Sequence, residues 1–269
     1  MKCFAILLFA SLIFMVPSQT EGQEDFNYDE SSGKGPSQWG SLRPEWRTCG
    51  SGQSQSPIDI PVGNVVVASD LGDLQASYSS RSAVLKNRGH DIAVLWNGGD
   101  AGNINIDGID YKILQCHWHS PSEHTIGGTR HDLEIHIVHQ DAQKQIAVLS
   151  MLFQIGQPDS FLSGLLSAIE NVGGGEVNLG NKNPGDIGFV GRDYYRYEGS
   201  LSTPCTEGVV WTVFREVKTA STEQIQALKA PLAEEVKDNS RPTQSLNGRE
   251  VLLYQPSDTT GRGGVVVLN

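Results

Sequence analysis

Two histidine-bearing runs of alternating residues, "ILQCHWH" at 113–119 and "LEIHIVH" at 133–139, constrain this chain more than any other feature. In a strand every second side chain shares a face, so Gln115, His117 and His119 point one way, and Glu134, His136 and Val138 share a face in the second run. Between them lies "SPSEHTIGGTRHD", in which Gly127-Gly128 is a turn signal. An antiparallel hairpin would bring His136 beside His117 and His119, with Gln115 and Glu134 on the same surface and near enough to act behind them. Three converging imidazoles, each able to give its second N–H to an acceptor, form the ligand set of a catalytic zinc with an open fourth position. His-X-His alone is a common spacing; the third histidine, next to a glutamate at matching register, makes the pattern specific.

A different metal fold also begins with His-X-His-X3-Glu, and His117, His119 and Glu123 fit that start of a cupin. The cupin pattern then needs a glycine near position 130, where Arg130 stands, and a later His-X3-Asn, whereas His139 is followed by "QDAQ". It fails at both points.

The rest of the chain is consistent with strands. Short runs such as "AVLKNRG", "DIAVLWNGGD", "QIAVLSMLFQIG" and "EGVVWTVFREV" are punctuated by turns, and the chain holds 30 glycines and 12 prolines. Helical spacing predicts a helix in "PDSFLSGLLSAIEN" capped by Ser160. A second helix is predicted in "STEQIQALKAPLAEEV", where Ser221 and Gln224 form a capping box and Pro231 interrupts. The fold class expected is mainly β (α+β), a single domain with a large, twisted, mostly antiparallel central sheet and a few peripheral helices.

Residues 1–22 pair Lys2 with an apolar run from Cys3 to Val16, too short for a membrane span, and are expected to be a secretory signal cut after Ser18 or Gly22. The domain then occupies 23–269, with its core at about 39–255 and a polar, loosely held tail, "QEDFNYDESSGKGPSQ", in front. A formal net charge of -11 argues against nucleic acid and anionic membrane as partners and leaves a small molecule, with the chain a monomer or dimer. Three cysteines remain after the signal. Cys116 is flanked by strand residues that read as buried, so Cys49 is paired with Cys205 in an oxidising, secretory-pathway or extracellular compartment. Cys116 is read as a small core residue.

The ordered motifs carry a resemblance. "QWG" at 38–40, "QSQSPIDI" at 53–60, "LKNRGHD" at 85–91, "QCHWHSPSEHT" at 115–125 and "LEIHIVH" are followed by "YYRYEGSLSTPCTEGVVWTV" at 194–213 and "NSRPTQSLNGR" at 239–249. Together they resemble an α-type carbonic anhydrase, most similar to secreted plant members and their dioscorin-like relatives. The resemblance implies zinc on His117, His119 and His136, with Gln115 and Glu134 as acceptors behind His117 and His136. It makes His90 the proton shuttle, Glu123 the acid that orients a hydroxyl gatekeeper at Ser202, and Val138, Val148, Leu201 and Trp211 the apolar wall for carbon dioxide. It repeats the Cys49–Cys205 disulfide. The activity implied is reversible hydration of carbon dioxide to bicarbonate and a proton by zinc-bound hydroxide. The rival is a catalytically weak, dioscorin-like storage protein on the same fold, although the composition is not rich in glutamine, asparagine or arginine.

The chain departs from the family pattern in two places. "GSLSTPCTEG" is one residue short and lacks one proline; a gap in the proline pair leaves Ser202 as gatekeeper, whereas an earlier gap puts Leu201 there. Around His90, Ser41 replaces a tyrosine common after "WG", while Arg88 and Ala93 stand where fast animal enzymes have asparagines. Arg88 thereby sets a like charge beside a protonated His90. Of the other histidines, His124 is expected to follow Glu123 into the structural network, His139 to face away from the metal, and His131 to lie in a solvated loop.

Overall fold

The computed structural model describes residues 26–96, 100–189 and 192–256; the expected signal peptide lies outside them. Among the described residues no helix is long and apolar enough to cross a membrane. Ten strands form the spine of one large sheet: β1 (Val66–Val67), β2 (Arg81–Asn87), β3 (Ile92–Trp96), β4 (Ile109–His119), β5 (Leu133–Gln140), β6 (Ile146–Ile155), β7 (Glu176–Lys182), β8 (Tyr194–Ser200), β9 (Glu207–Phe214) and β10 (Leu252–Tyr254). Their spatial order is β7-β2-β3-β4-β5-β6-β9-β8-β10-β1. Most neighbours run antiparallel, as expected; β6 with β9, and β10 with β1, are parallel.

Adjacent sequence runs pair where turns allow it. β4 and β5 form the anticipated hairpin, with His136 opposite His117 and Glu134 opposite His119. All but the last residue of β5 are buried, because both faces of this central strand are covered. One face, with Ile135, Ile137, Leu149, Met151 and Cys116, packs on the larger core beneath Phe161, Leu165 and Ile225. The opposite face, with Val138, Val148, Leu152 and Trp211, forms a smaller apolar cup. His117, His119 and His136 sit at the edge of that cup.

Two sequence expectations are corrected. The helix over "PDSFLSGLLSAIEN" is split into Ser160–Ser163 and Leu166–Asn171, and its cap is Asp159, whose carboxylate accepts from the Leu162 N–H at 3.0 Å. Gly164 at the break lowers the cost of leaving the helix, and Lys218 pairs with Asp159 at 2.8 Å, which fixes the carboxylate for capping. The tail is not loose from Phe26 onward. Phe26 and Tyr28 lie edge-on to Trp39, Phe26 also meets Trp46, and the Trp39 indole donates to the carbonyls of Asn27 and Lys34, both at 3.1 Å. The polar residues dominated the reading of that segment, whereas two aromatic rings decide its structure. The second helix follows its capping box, Ser221 with Gln224, over Thr222–Lys229.

Behind the sheet His139 accepts from the Tyr78 hydroxyl at Nε2 (2.7 Å) while Nδ1 donates to the Ile137 carbonyl (3.0 Å). Burial pushes its pKa down to about 3, against about 6.5 in an unfolded chain. The unfolded chain therefore takes up this proton first. Stability present above pH ~6.5 should be lost as the pH falls toward 3, by up to ~1.4 kcal/mol per pH unit from this group. Urea unfolding at a series of pH values checks it: His139→Gln should flatten the fall by that amount across the window, and an unchanged slope would refute it.

Candidate metal centre

The site begins from a buried carboxylate. Glu134 is fully buried, and its two oxygens accept five hydrogen bonds: from the His136 ring, the His124 ring, the Ser150 hydroxyl and the backbone N–H groups of Glu123 and His124, all between 2.6 and 2.8 Å. Burial opposes its ionisation, but the His124 and His136 imidazoles and their hydrogen bonds outweigh that and hold the carboxyl well below its ordinary range. Binding His136 through Nε2 leaves Nδ1 facing the cup.

The other two rings are oriented the same way from their far nitrogens. His117 Nδ1 bonds the Gln115 side-chain oxygen at 2.9 Å, and His119 Nδ1 bonds the Asn239 carbonyl at 2.7 Å. Ligand atoms of His117, His119 and His136 lie within 4.8 Å of one another. His119 Nε2 is buried with no hydrogen-bond partner. Burial lowers the pKa of both His117 and His136, so their facing nitrogens carry lone pairs at neutral pH. An orphaned nitrogen among three imidazoles, each bonded at its far side, fits a cation of the zinc type. A second cluster, His124, Glu134 and His136, is equally compact, but its members bond to one another.

Opposite the rings stands Glu123, fully buried, with Oε2 3.7 Å from His119 Nε2 and 4.0 Å from His136 Nδ1. Its Oε1 accepts the Arg241 backbone N–H at 2.9 Å, and its Oε2 accepts the Ser202 hydroxyl. Leu201 therefore does not take the hydroxyl's place; it lies in the wall. Around Ser202 the loop is closed by the Leu201 N–H on the Thr206 carbonyl at 3.0 Å, and Cys205 adopts a left-handed φ of 66°. That conformation costs an L-residue about 1–2 kcal/mol, and Cys205 is held there by its disulfide to Cys49. Gly199 precedes the loop because a Cβ there would lie 2.1 Å from Ser56 Oγ and 2.9 Å from the Trp211 ring.

These groups surround a cavity of about 170 Å³ whose lining includes Val138, Val148, Leu201 and Trp211 on the apolar side and His90, Arg88, Asp91 and Tyr28 toward the mouth. A larger open groove of about 830 Å³ runs outside it along Lys34, Lys86 and Arg88, but no ring nitrogens converge there. The expectation that Ser41 stands in for a tyrosine is corrected: Ser41 is exposed, and the tyrosine in the cavity is Tyr28, earlier in the chain. Arg88 is not the isolated charge anticipated either, since it pairs with buried Asp91. Asn239 and Arg241 had no role assigned from sequence, although "NSRP" is the one signal that could have drawn attention to them. Arg241 also bonds Gln55, the Ser56 carbonyl and the Cys49 carbonyl. Cys116 is buried and free behind β4, and burial pushes its thiol above the ordinary range.

A family model described as eukaryotic-type carbonic anhydrase matches residues 34–255. "Alpha carbonic anhydrase 4" of Arabidopsis thaliana is 45% identical over 256 residues, covering 95% of each chain. "Dioscorin dioA3" of Dioscorea japonica is 40% identical over 255 residues, covering 93% of this chain and 94% of its own. The solved structure "Crystal structure of dioscorin complexed with ascorbate" superposes with a TM-score of 0.84 at 39% identity, over 87% of this chain and 99% of the other.

Glu134 should control metal affinity without touching the metal. Glu134→Gln sets an amide N–H group against either the three side-chain donors at Oε1 or the two backbone donors at Oε2, and zinc affinity should fall ~10–100-fold, read by competition with a chromophoric chelator at fixed pH. Unchanged affinity would show that the buried carboxylate does not orient His136.

Proposed function

The chain belongs to the eukaryotic-type carbonic anhydrase family, and from that premise we propose that it catalyses the zinc-dependent, reversible hydration of carbon dioxide to bicarbonate and a proton. The observation that carries the reading is the trio His117, His119 and His136, whose inner nitrogens converge while each outer nitrogen is engaged by Gln115, Asn239 or Glu134. Zinc held by three neutral imidazoles would supply hydroxide near neutrality, since such a site lowers the pKa of water to about 7; carbonic anhydrase is the standard case of that value.

The protein's own groups would supply the rest. Glu123 Oε2 accepts the Ser202 hydroxyl hydrogen bond, so the Ser202 oxygen is left as an acceptor toward the cavity. A water or hydroxide held in the cavity would donate to that oxygen and so present lone-pair density to the apolar wall. Val138, Val148, Leu201 and Trp211 present no polar side-chain group to compete with an apolar gas; the Trp211 indole N–H is spent on the Ser200 carbonyl at 3.0 Å. Bicarbonate, being charged, is poorly matched to that wall and leaves in exchange for water. His90, at the mouth, would carry the proton to solvent, the side chain suited to transfer near neutral pH.

The disulfide and the apolar start of the chain support synthesis through the secretory pathway and a secreted product. The second reading, a weakly active storage protein, draws support from the dioscorin relatives and from the shortened Ser202 loop.

Stopped-flow carbon dioxide hydration with zinc analysis on the same sample tests the reading. The wild type should hold one zinc per chain and be active, and His136→Ala should lose both. Ser202→Ala should keep the zinc and lose on the order of 100-fold in kcat/KM, while Ser202→Thr stays near wild type. Zinc without activity, or no zinc at all, would put the storage reading in front.

A further inference from the structure

The pair formed by Arg88 and Asp91 is not explained by metal holding or by the gatekeeper. Asp91 is 1% exposed at the mouth of the cavity. Both of its carboxylate oxygens are taken by Arg88, Oδ1 by Nε at 2.7 Å and Oδ2 by the terminal nitrogen. The same Oδ2 lies 3.6 Å from His90 Nε2, longer than a hydrogen bond and short enough for ion–dipole attraction. Burial opposes the charge on Asp91, but Arg88, with His90 and His117 behind it, outweighs burial and holds the carboxyl well below the ordinary range.

The backbone around the pair is fixed as well. Arg88 N–H donates to the Asp91 carbonyl at 2.9 Å, Gly89 N–H to the Asn87 side chain at 2.9 Å, and the Asn239 side-chain N–H to the His90 carbonyl at 2.9 Å. These three bonds tie down the backbone of the turn that carries the His90 ring. Phe26 meets that ring on one side, with centroids 5.2 Å apart, and the Asp91 carboxylate meets its nitrogen on another.

We propose that Asp91 is a positioning residue for proton exit, holding the His90 ring in the mouth of the site through its ion-paired carboxylate. Arg88 balances the carboxylate's charge, so the pair that faces the ring carries no net charge of its own. The step balances as two proton transfers: an O–H bond of a cavity water breaks as an N–H bond forms on the His90 ring, and an N–H bond of the ring then breaks as the buffer base takes the proton. The inference rests on the carbonic anhydrase reading and on His90 as the carrier.

Proton release follows bicarbonate departure, so a fault there lowers kcat and leaves kcat/KM in place. Asp91→Asn should lower kcat by on the order of tenfold or more, change kcat/KM less than about twofold, and be rescued by imidazole buffer. A crystal structure of the zinc-loaded variant should show the His90 ring displaced from the mouth. If Asp91→Asn does not fold, Arg88→Gln/Asp91→Asn, which leaves no charge of the pair buried alone, reads the same quantities. An unmoved ring, an equal fall in kcat and kcat/KM, an unchanged kcat, or failure of rescue would overturn the proposal. An inactive wild type would instead overturn the function on which it rests, and the proposal with it.

Discussion

A carboxylate without access to water must be satisfied by the protein or stay protonated, and Glu134 is satisfied five times over. Its donors come from β5 itself, from β6 through Ser150, and from the turn that carries Glu123 and His124. The demand of one charge therefore aligns the His136 ring, fixes the backbone beneath Glu123 and ties β5 to β6 through Ser150. The same logic recurs at lower stakes at Gln115 and at the Asn239 carbonyl. Each ring is aimed by its outer nitrogen, and the inner nitrogens converge as a result.

Electrostatics and packing are divided between the two faces of the sheet. The larger core has few polar side chains, and those it holds, such as His139 and Tyr78, bond to each other or to the backbone. The site face sets polar groups against apolar ones: three imidazoles and Glu123 on one side, Val138, Val148, Leu201 and Trp211 on the other. Strand alternation permits this, because a two-residue step from Glu134 to His136 to Val138 moves from buried acid to ligand to apolar wall without leaving one face.

What could be read from the sequence was local. Period-2 spacing gave the faces of β4 and β5, Gly127-Gly128 marked the reversal between them, where it closes a small hairpin of Thr125–Ile126 with Thr129–Arg130, and Ser221 with Gln224 gave a helix start; each depends on residues close in the chain. The large sheet and the Cys49–Cys205 bridge also followed from simple patterns. Asn239 and Arg241 did not, because their contacts depend on backbone groups brought from more than a hundred residues away and leave no periodic trace. Tyr28 was missed because a motif two turns downstream offered a closer-looking match, and Asp159 because a neighbouring serine has equal capping chemistry. Arg88 was read as a charge, without the acid three residues on that answers it.

The two halves of the site also differ in how far along the chain their parts lie. The three imidazoles fall within His117–His136, in one hairpin, whereas Ser202 reaches Glu123 across 79 residues, Arg241 across 118, and Cys49 meets Cys205 across 156. Closing a short loop costs less chain entropy than closing a long one, and local pairings form faster. The hairpin that carries the three imidazoles thus closes locally, whereas the aiming of His119 by the Asn239 carbonyl, across 120 residues, and the seating of Ser202 on Glu123 wait for segments that arrive much later in the chain.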